Sequence, residues 1–230
     1  MKLLRIKLFS SFRGLQEGFE IKFYNDITEA KSLEPICFVG QNGCGKSNVM
    51  EALSEIFYEL ELMHHNYSDD DNEDYLLNNK ESYGYEIEYL LPTEKNIDKV
   101  RPYYTFNGYK WIKVKKEKEG SPHFFVMNNN EYHRVSDRND RKKLLPTKII
   151  GYSSGMNELI SSPFIKMRFN YFNEFEMNLA NEFKSDIEGS RMFYMDYETN
   201  SLILISNYLM HDVSKINVIN EILNVLKLHS

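Results

Sequence analysis

Eight residues, GQNGCGKS at positions 40–47, constrain this chain more tightly than anything else in its 230 residues. Gly40, Gly45, Lys46 and Ser47 fit the spacing G-x-x-x-x-G-K-[ST] at every fixed position. Before them runs ICFV at 36–39, bounded by Pro35 and Gly40, which predicts a short strand buried on both faces. After them Val49, Met50, Leu53, Ile56, Phe57 and Leu60 recur at helical spacing and predict an amphipathic helix of about four turns. The glycines thus join an apolar strand to a helix.

In that context each residue type has a task. Glycines let backbone N–H groups turn toward a phosphate, and the start of the helix adds positive potential. Lys46 reaches the β- and γ-phosphates of a nucleotide, and the Ser47 hydroxyl can ligate magnesium. The predicted nucleotide-binding residues are Gly40, Gln41, Asn42, Gly43, Cys44, Gly45, Lys46, Ser47 and Asn48, with ATP and Mg2+ as the expected cofactors. Ser47 is the expected metal ligand.

The rest of the chain supplies the walls. Residues 3–9 and 19–23 alternate apolar with charged or polar residues and predict two paired strands. Segments 83–91, 103–114 and 123–132 read as strands or hairpins, and DRNDRKK at 137–143 reads as a charged loop. Residues 147–150 predict another buried strand running into Gly151. From Ser162, a predicted N-cap with Pro163 at the first helical position, the chain turns helical. Phe164, Tyr171, Phe172, Phe175, Leu179 and Phe183 share a face there, most simply a core face, and a further amphipathic helix is expected over 213–228. The fold class predicted is α/β: a P-loop NTPase mixed sheet with the strand, loop and helix at its centre and a β-rich flank. Residues 1–160 would form an ATPase lobe and 161–230 a helical region.

Charge narrows the partners. A net charge of -6 with 27% charged residues gives no chain-wide basic field. Nucleic acid could touch only a local patch, such as Lys110, Lys113, Lys115, Lys116 and Lys118 around Trp111, continued by Arg138, Arg141, Lys142 and Lys143. Alternating Lys and Glu more often marks a solvated hairpin, and that is the preferred reading. Two cysteines, Cys37 and Cys44, suit a reducing cytoplasm, and no apolar run approaches membrane-spanning length. The acidic stretch 68–74 lacks the glycine and distal glutamate of a calcium loop, and the adjacent His64 and His65 diverge on a helix end.

GQNGCGKSN, preceded by SSFRGLQEGFEIKFY, resembles the N-terminal half of ABC-type ATPases of the SMC, RecF and OLD-like group. Within it the chain looks most like restriction-associated, anti-phage AAA family ATPases, a likeness extending to KIIGYSSGMNELISSPF. The resemblance implies a homodimer or a complementing ATPase lobe closing on ATP, with DNA and a defence effector as partners. It also implies that Arg13 approaches the phosphates; as a residue alone, Arg13 reads equally well as a surface turn arginine. The family further uses a sensing glutamine, a signature helix, an Asp-Glu pair after an apolar strand and a switch histidine. Gln16 and Gln41 are the only glutamines, so none follows Lys46. Tyr152, Ser153, Ser154 and Gly155 resemble the signature, yet in RMFYMDYE Tyr197 separates Asp196 from Glu198, so Asp196 reads better as ending a structural strand. No catalytic residue is assigned, and the missing parts are expected on residues outside this chain or on another polypeptide. A P-loop kinase or phosphotransferase and a non-catalytic ATP-binding adaptor are the alternative readings.

Overall fold

A computed structural model describes residues 1–24, 35–64, 83–92, 108–128, 130–153, 158–180, 189–196 and 199, without the side chains of 158 and 177–180. The alternating amino-terminal stretches form β1 (Lys2–Leu8) and β2 (Glu20–Lys22), paired antiparallel with Ile6 opposite Ile21. On its other edge β1 meets β3 (Tyr85–Pro92), followed by β4 (Tyr109–Lys116), β5 (His123–Asn128) and β6 (Glu131–Val135). The result is a six-stranded antiparallel sheet in the order β2-β1-β3-β4-β5-β6.

Strand periodicity of two sorts its side chains between faces. Ile6, Leu8, Tyr85, Ile87, Tyr89, Ile112, Val114, Phe124 and Val126 turn to one side, against helix α1 (Lys46–Leu62) and its Val49, Ala52, Ile56, Phe57 and Leu60. Each large apolar side chain buried there contributes about 1.5–3 kcal/mol. Lys116, at the inner end of β4, reaches across to Glu59 of α1, which also accepts a 2.9 Å bond from the Tyr85 hydroxyl. The opposite face is charged: Arg5 bridges Glu20, Glu86 and Glu88, while Lys113 lies 3.3 Å from Glu88.

A second, parallel pair lies beyond α1. After the short helix α2 (Arg138–Lys142) come β7 (Ile149–Tyr152), α3 (Glu158–Ala180) and β8 (Met192–Met195). β7 and β8 run parallel with Ile150 opposite Phe193, joined through α3 as a strand-helix-strand crossover. Phe164 and Met167 of α3, Met192 of β8 and Tyr58 and Leu62 of α1 form one apolar cluster. Within the α1–α3 contact Asn170 Nδ2 donates to the Tyr58 hydroxyl at 3.0 Å. The architecture is α/β, with an antiparallel and a parallel sheet and three helices among the described residues.

Several expectations need correction. Residues 36–39 form no strand: Ile36 and Val39 are exposed, Val39 at 94%. A strand is held by ladder partners at its edges and buried by layers on its faces, and among the described residues no strand pairs with 36–39. Met50 is exposed, because α1 turns Val49 and Ala52 rather than Met50 to the sheet. The expected loop at 137–143 contains α2, whose N-cap Asp137 accepts the Asp140 N–H at 2.9 Å. β7 exposes Ile150, so it is not fully buried. Ser162 is not an N-cap, since α3 begins at Glu158 and holds Pro163 inside it.

The aromatic stripe of α3 is only partly core. Phe164 is buried, but Phe172 is 55% exposed and Phe175 is also exposed. A helix of 23 residues spans about 35 Å, whereas four-residue strands span about 13 Å, so α3 outruns its sheet. Leu179's side chain, Phe183, residues 103–107 and the helix expected over 213–228 lie outside the described residues.

Two measurements probe this packing. A Cβ on Gly151 would stand 2.7 Å from the Phe164 ring, so Gly151→Ala is expected to cost about 1–3 kcal/mol of stability in denaturant unfolding. His64, just past α1, has a pKa lowered to about 4 from the ordinary 6.5 by burial and by the charges of Arg141, Arg191, Arg138 and Lys142. Because its folded pKa is depressed, its neutral form supports the fold above pH 6.5, and that support is lost as pH falls toward 4. Urea midpoints recorded between pH 7 and 4 should therefore fall more steeply for the natural protein than for His64→Gln.

Candidate nucleotide-binding site

α1 begins without the devices that usually close a helix. Its N-cap is Gly45, with φ 91 and ψ 7, and no side chain caps it; its first turn holds no acidic residue. Serine, threonine, asparagine or aspartate normally fills that place. The first-turn N–H groups have no intrahelical acceptor, and the aligned peptide dipoles put about half a positive charge there. The left-handed conformation of Gly45, with Gly43 at φ 83, bends the chain into this start. Within the loop the Cys44 N–H donates to the Gln41 carbonyl at 3.3 Å.

Lys46 arches back over the loop. Its Nζ donates to the carbonyls of Gly40 and Gln41, each at 2.8 Å, and lies 3.6 Å from Cys44 Sγ. A polyphosphate entering the loop can replace those carbonyls as acceptor and gain a charge-assisted bond. A Cβ on Gly40 would stand 2.7 Å from Cys44 Sγ, so a larger residue there would have to turn the Cys44 side chain aside. Gln41, Asn42, Gly43 and Cys44 are exposed along the loop, and Ser47 is exposed on the first turn of α1. A free hydroxyl oxygen there suits a hard cation such as magnesium.

Arg13 comes to the same place from the first strand's turn. Residues 12–15 close on themselves through Phe12 N–H to the Leu15 carbonyl at 3.0 Å and the reverse bond at 2.8 Å, with Arg13 at φ 51. Gly14 abuts Asn48, whose Nδ2 would be 2.8 Å from any Cβ, and Leu15 packs near Gly45. Arg13 Nε donates to Glu51 Oε1 at 3.0 Å. All ten residues expected at the site are thus brought to one end of α1, although residues 36–39 form no strand.

Other sequence candidates fall elsewhere. Tyr152 ends β7 exposed, Ser153 is half-buried, and Ser154 and Gly155 lie outside the described residues. Asp196 follows β8 and accepts the Thr199 N–H at 2.7 Å, which, with the Thr199 hydroxyl, lowers its pKa; it closes a turn after the strand. Glu198 and His65 lie outside the described residues, and no metal-binding cluster occurs within them. Of the strand lysines, Lys113 faces Glu86 and Glu88, Lys115 faces Glu117 and Lys116 faces Glu59, so this is a paired hairpin. Sequence reading missed Glu51: a pair between residues 38 apart leaves no periodic trace.

A family model described as an AAA domain matches residues 3–225. No curated protein matches the chain. No described helix is long and apolar enough to cross a membrane.

Gly45→Ala tests the loop bend. Left-handed backbone with a Cβ costs about 1–2 kcal/mol, and that Cβ would press on Leu15 at 3.2 Å. Thermal unfolding of this variant should show a midpoint several degrees lower, about 2–4 °C per kcal/mol for a chain this size.

Proposed function

The chain belongs to the AAA-type P-loop ATPase family, and from that premise we propose that it binds ATP with magnesium through residues 40–48 and Arg13. The observation that carries the reading is the open amino terminus of α1, uncapped and free of acid, with the Lys46 ammonium arched beside it. In this reading the first-turn amides and Gly45 receive the β-phosphate, and Lys46 moves from the Gly40 and Gln41 carbonyls to the β- and γ-oxygens. The Ser47 hydroxyl holds magnesium, which neutralises charge on the terminal phosphates.

We further propose that residues 1–160 act as an ATPase lobe and that nucleotide closes it on a second copy or on a complementing lobe, as an SMC-like clamp in DNA-linked defence or repair. A surface supports the complementing lobe. Parallel strands are ordinarily covered on both faces, yet Ile150, Tyr152 and Phe193 are exposed on β7 and β8, and Phe169, Phe172 and Phe175 on α3. The exposed rings of α3 and β8, within the helical region 161–230, would then line the closing surface. No glutamine follows Gln41 to orient an attacking water, so the chain alone is expected to bind ATP with little turnover.

Calorimetric titration with ATP and magnesium decides the core of this proposal. The natural chain should bind, Lys46→Ala should bind at least about tenfold more weakly, the equivalent of 1.4 kcal/mol, and chelation of magnesium should weaken both. Equal affinity of the two proteins for ATP would remove the assignment. Phosphate transfer to a small acceptor without dimerisation would favour a phosphotransferase.

A further inference from the structure

We propose that Glu51 is a positioning residue for the nucleotide site: its buried carboxylate holds Arg13 by Nε, leaving the two terminal guanidinium nitrogens to grip a phosphate oxygen pair. The inference rests on the ATP-binding reading and adds a residue and a division of labour to it.

The pair is asymmetric in burial. The Glu51 side chain is 3% exposed, whereas that of Arg13 is 48% exposed. A buried carboxylate is costly without a charged partner, and its partner among the described residues is Arg13 Nε at 3.0 Å. Ser54 donates to the Glu51 main-chain carbonyl and leaves the carboxylate alone. Arg13 spends one donor on that bond, and its two terminal nitrogens meet no hydrogen-bond acceptor among the described residues. The guanidinium plane offers them side by side, the spacing that matches two phosphate oxygens.

The backbone holds the group where this is useful. Arg13 stands at φ 51, a conformation that non-glycine residues adopt at a cost and that marks functional turns. Its turn is pressed on α1 at three points three residues apart: Leu15 near Gly45, Gly14 on Asn48 and Arg13 on Glu51. The first of these is the glycine that caps α1, so the carboxylate anchors Arg13 along the face of the helix that opens at the phosphate loop. Glu51 itself touches no nucleotide and acts through Arg13.

Lysine separates this role from a merely structural ion pair. Arg13→Lys keeps a charge beside Glu51 but places its three donors on one nitrogen, without the planar fork that meets the carboxylate and a phosphate oxygen pair from separate nitrogens. Arg13→Lys and Glu51→Ala should each weaken ATP binding about tenfold, the scale of one charge-assisted contact, while Arg13→Lys retains the thermal midpoint of the natural chain. The Glu51→Ala, Arg13→Ala double variant should bind ATP no worse than Arg13→Ala alone. Unchanged affinity in Arg13→Lys, or losses that add in the double variant, would overturn the proposal. If the natural chain binds, Lys46→Ala does not and Arg13→Lys matches the natural chain, this inference alone fails. If Lys46→Ala also binds as the natural chain does, the ATP reading fails with it.

Discussion

Burial of α1 on two sides is the constraint on which the rest of this molecule depends. Ten of its seventeen residues are buried, too many for a helix resting on one layer. One flank fills the inner face of the antiparallel sheet through Ile56, Phe57 and Leu60, and the other meets α3 and β8 through Tyr58 and Leu62. Such an arrangement fixes the helix axis from both sides. The amino terminus of α1 is fixed with it, and the phosphate loop is simply the chain leading into that terminus. Rigid support of this kind keeps a binding group in place more surely than the loop could by itself.

Burial on two sides also forces charge into the interior. Glu51 and Glu61 lie on buried parts of α1, and each is met by an arginine from another element: Arg13 from the turn after β1, and Arg191, at 3.8 Å, just before β8. Glu59 is shared by Tyr85 and Lys116 from the sheet. The acidic positions of one helix thereby tie it to both sheets. Removing one partner of such a pair is costly because it strands the other charge, so these ties oppose any shift of α1 relative to the loop.

The outer face of the large sheet answers the question of nucleic acid that its lysines raise. Lys113 lies opposite Glu88 and Lys115 opposite Glu86 in the β3–β4 register, and Arg5 completes the ladder from β1. Cross-strand opposites neutralise one another locally. The lysine-rich hairpin therefore projects little net field.

The sequence by itself determined the local features: a glycine loop opening a helix, whose spacing alone specifies phosphate chemistry, and the alternating strands β1 to β6, whose two-residue period survives in any packing. It also determined that no glutamine follows Lys46. Tertiary structure alone decided which apolar segments were covered. Ile36, Val39 and Ile150 are hydrophobic by composition and exposed by circumstance, because burial depends on neighbours that distant parts of a chain must supply. The Arg13–Glu51 pair, between residues 38 apart, follows the same logic, whereas the α2 helix is closed locally by the Asp137 cap. Packing layers and ion pairs of this kind join residues far apart in order, and periodicity carries no record of such distances.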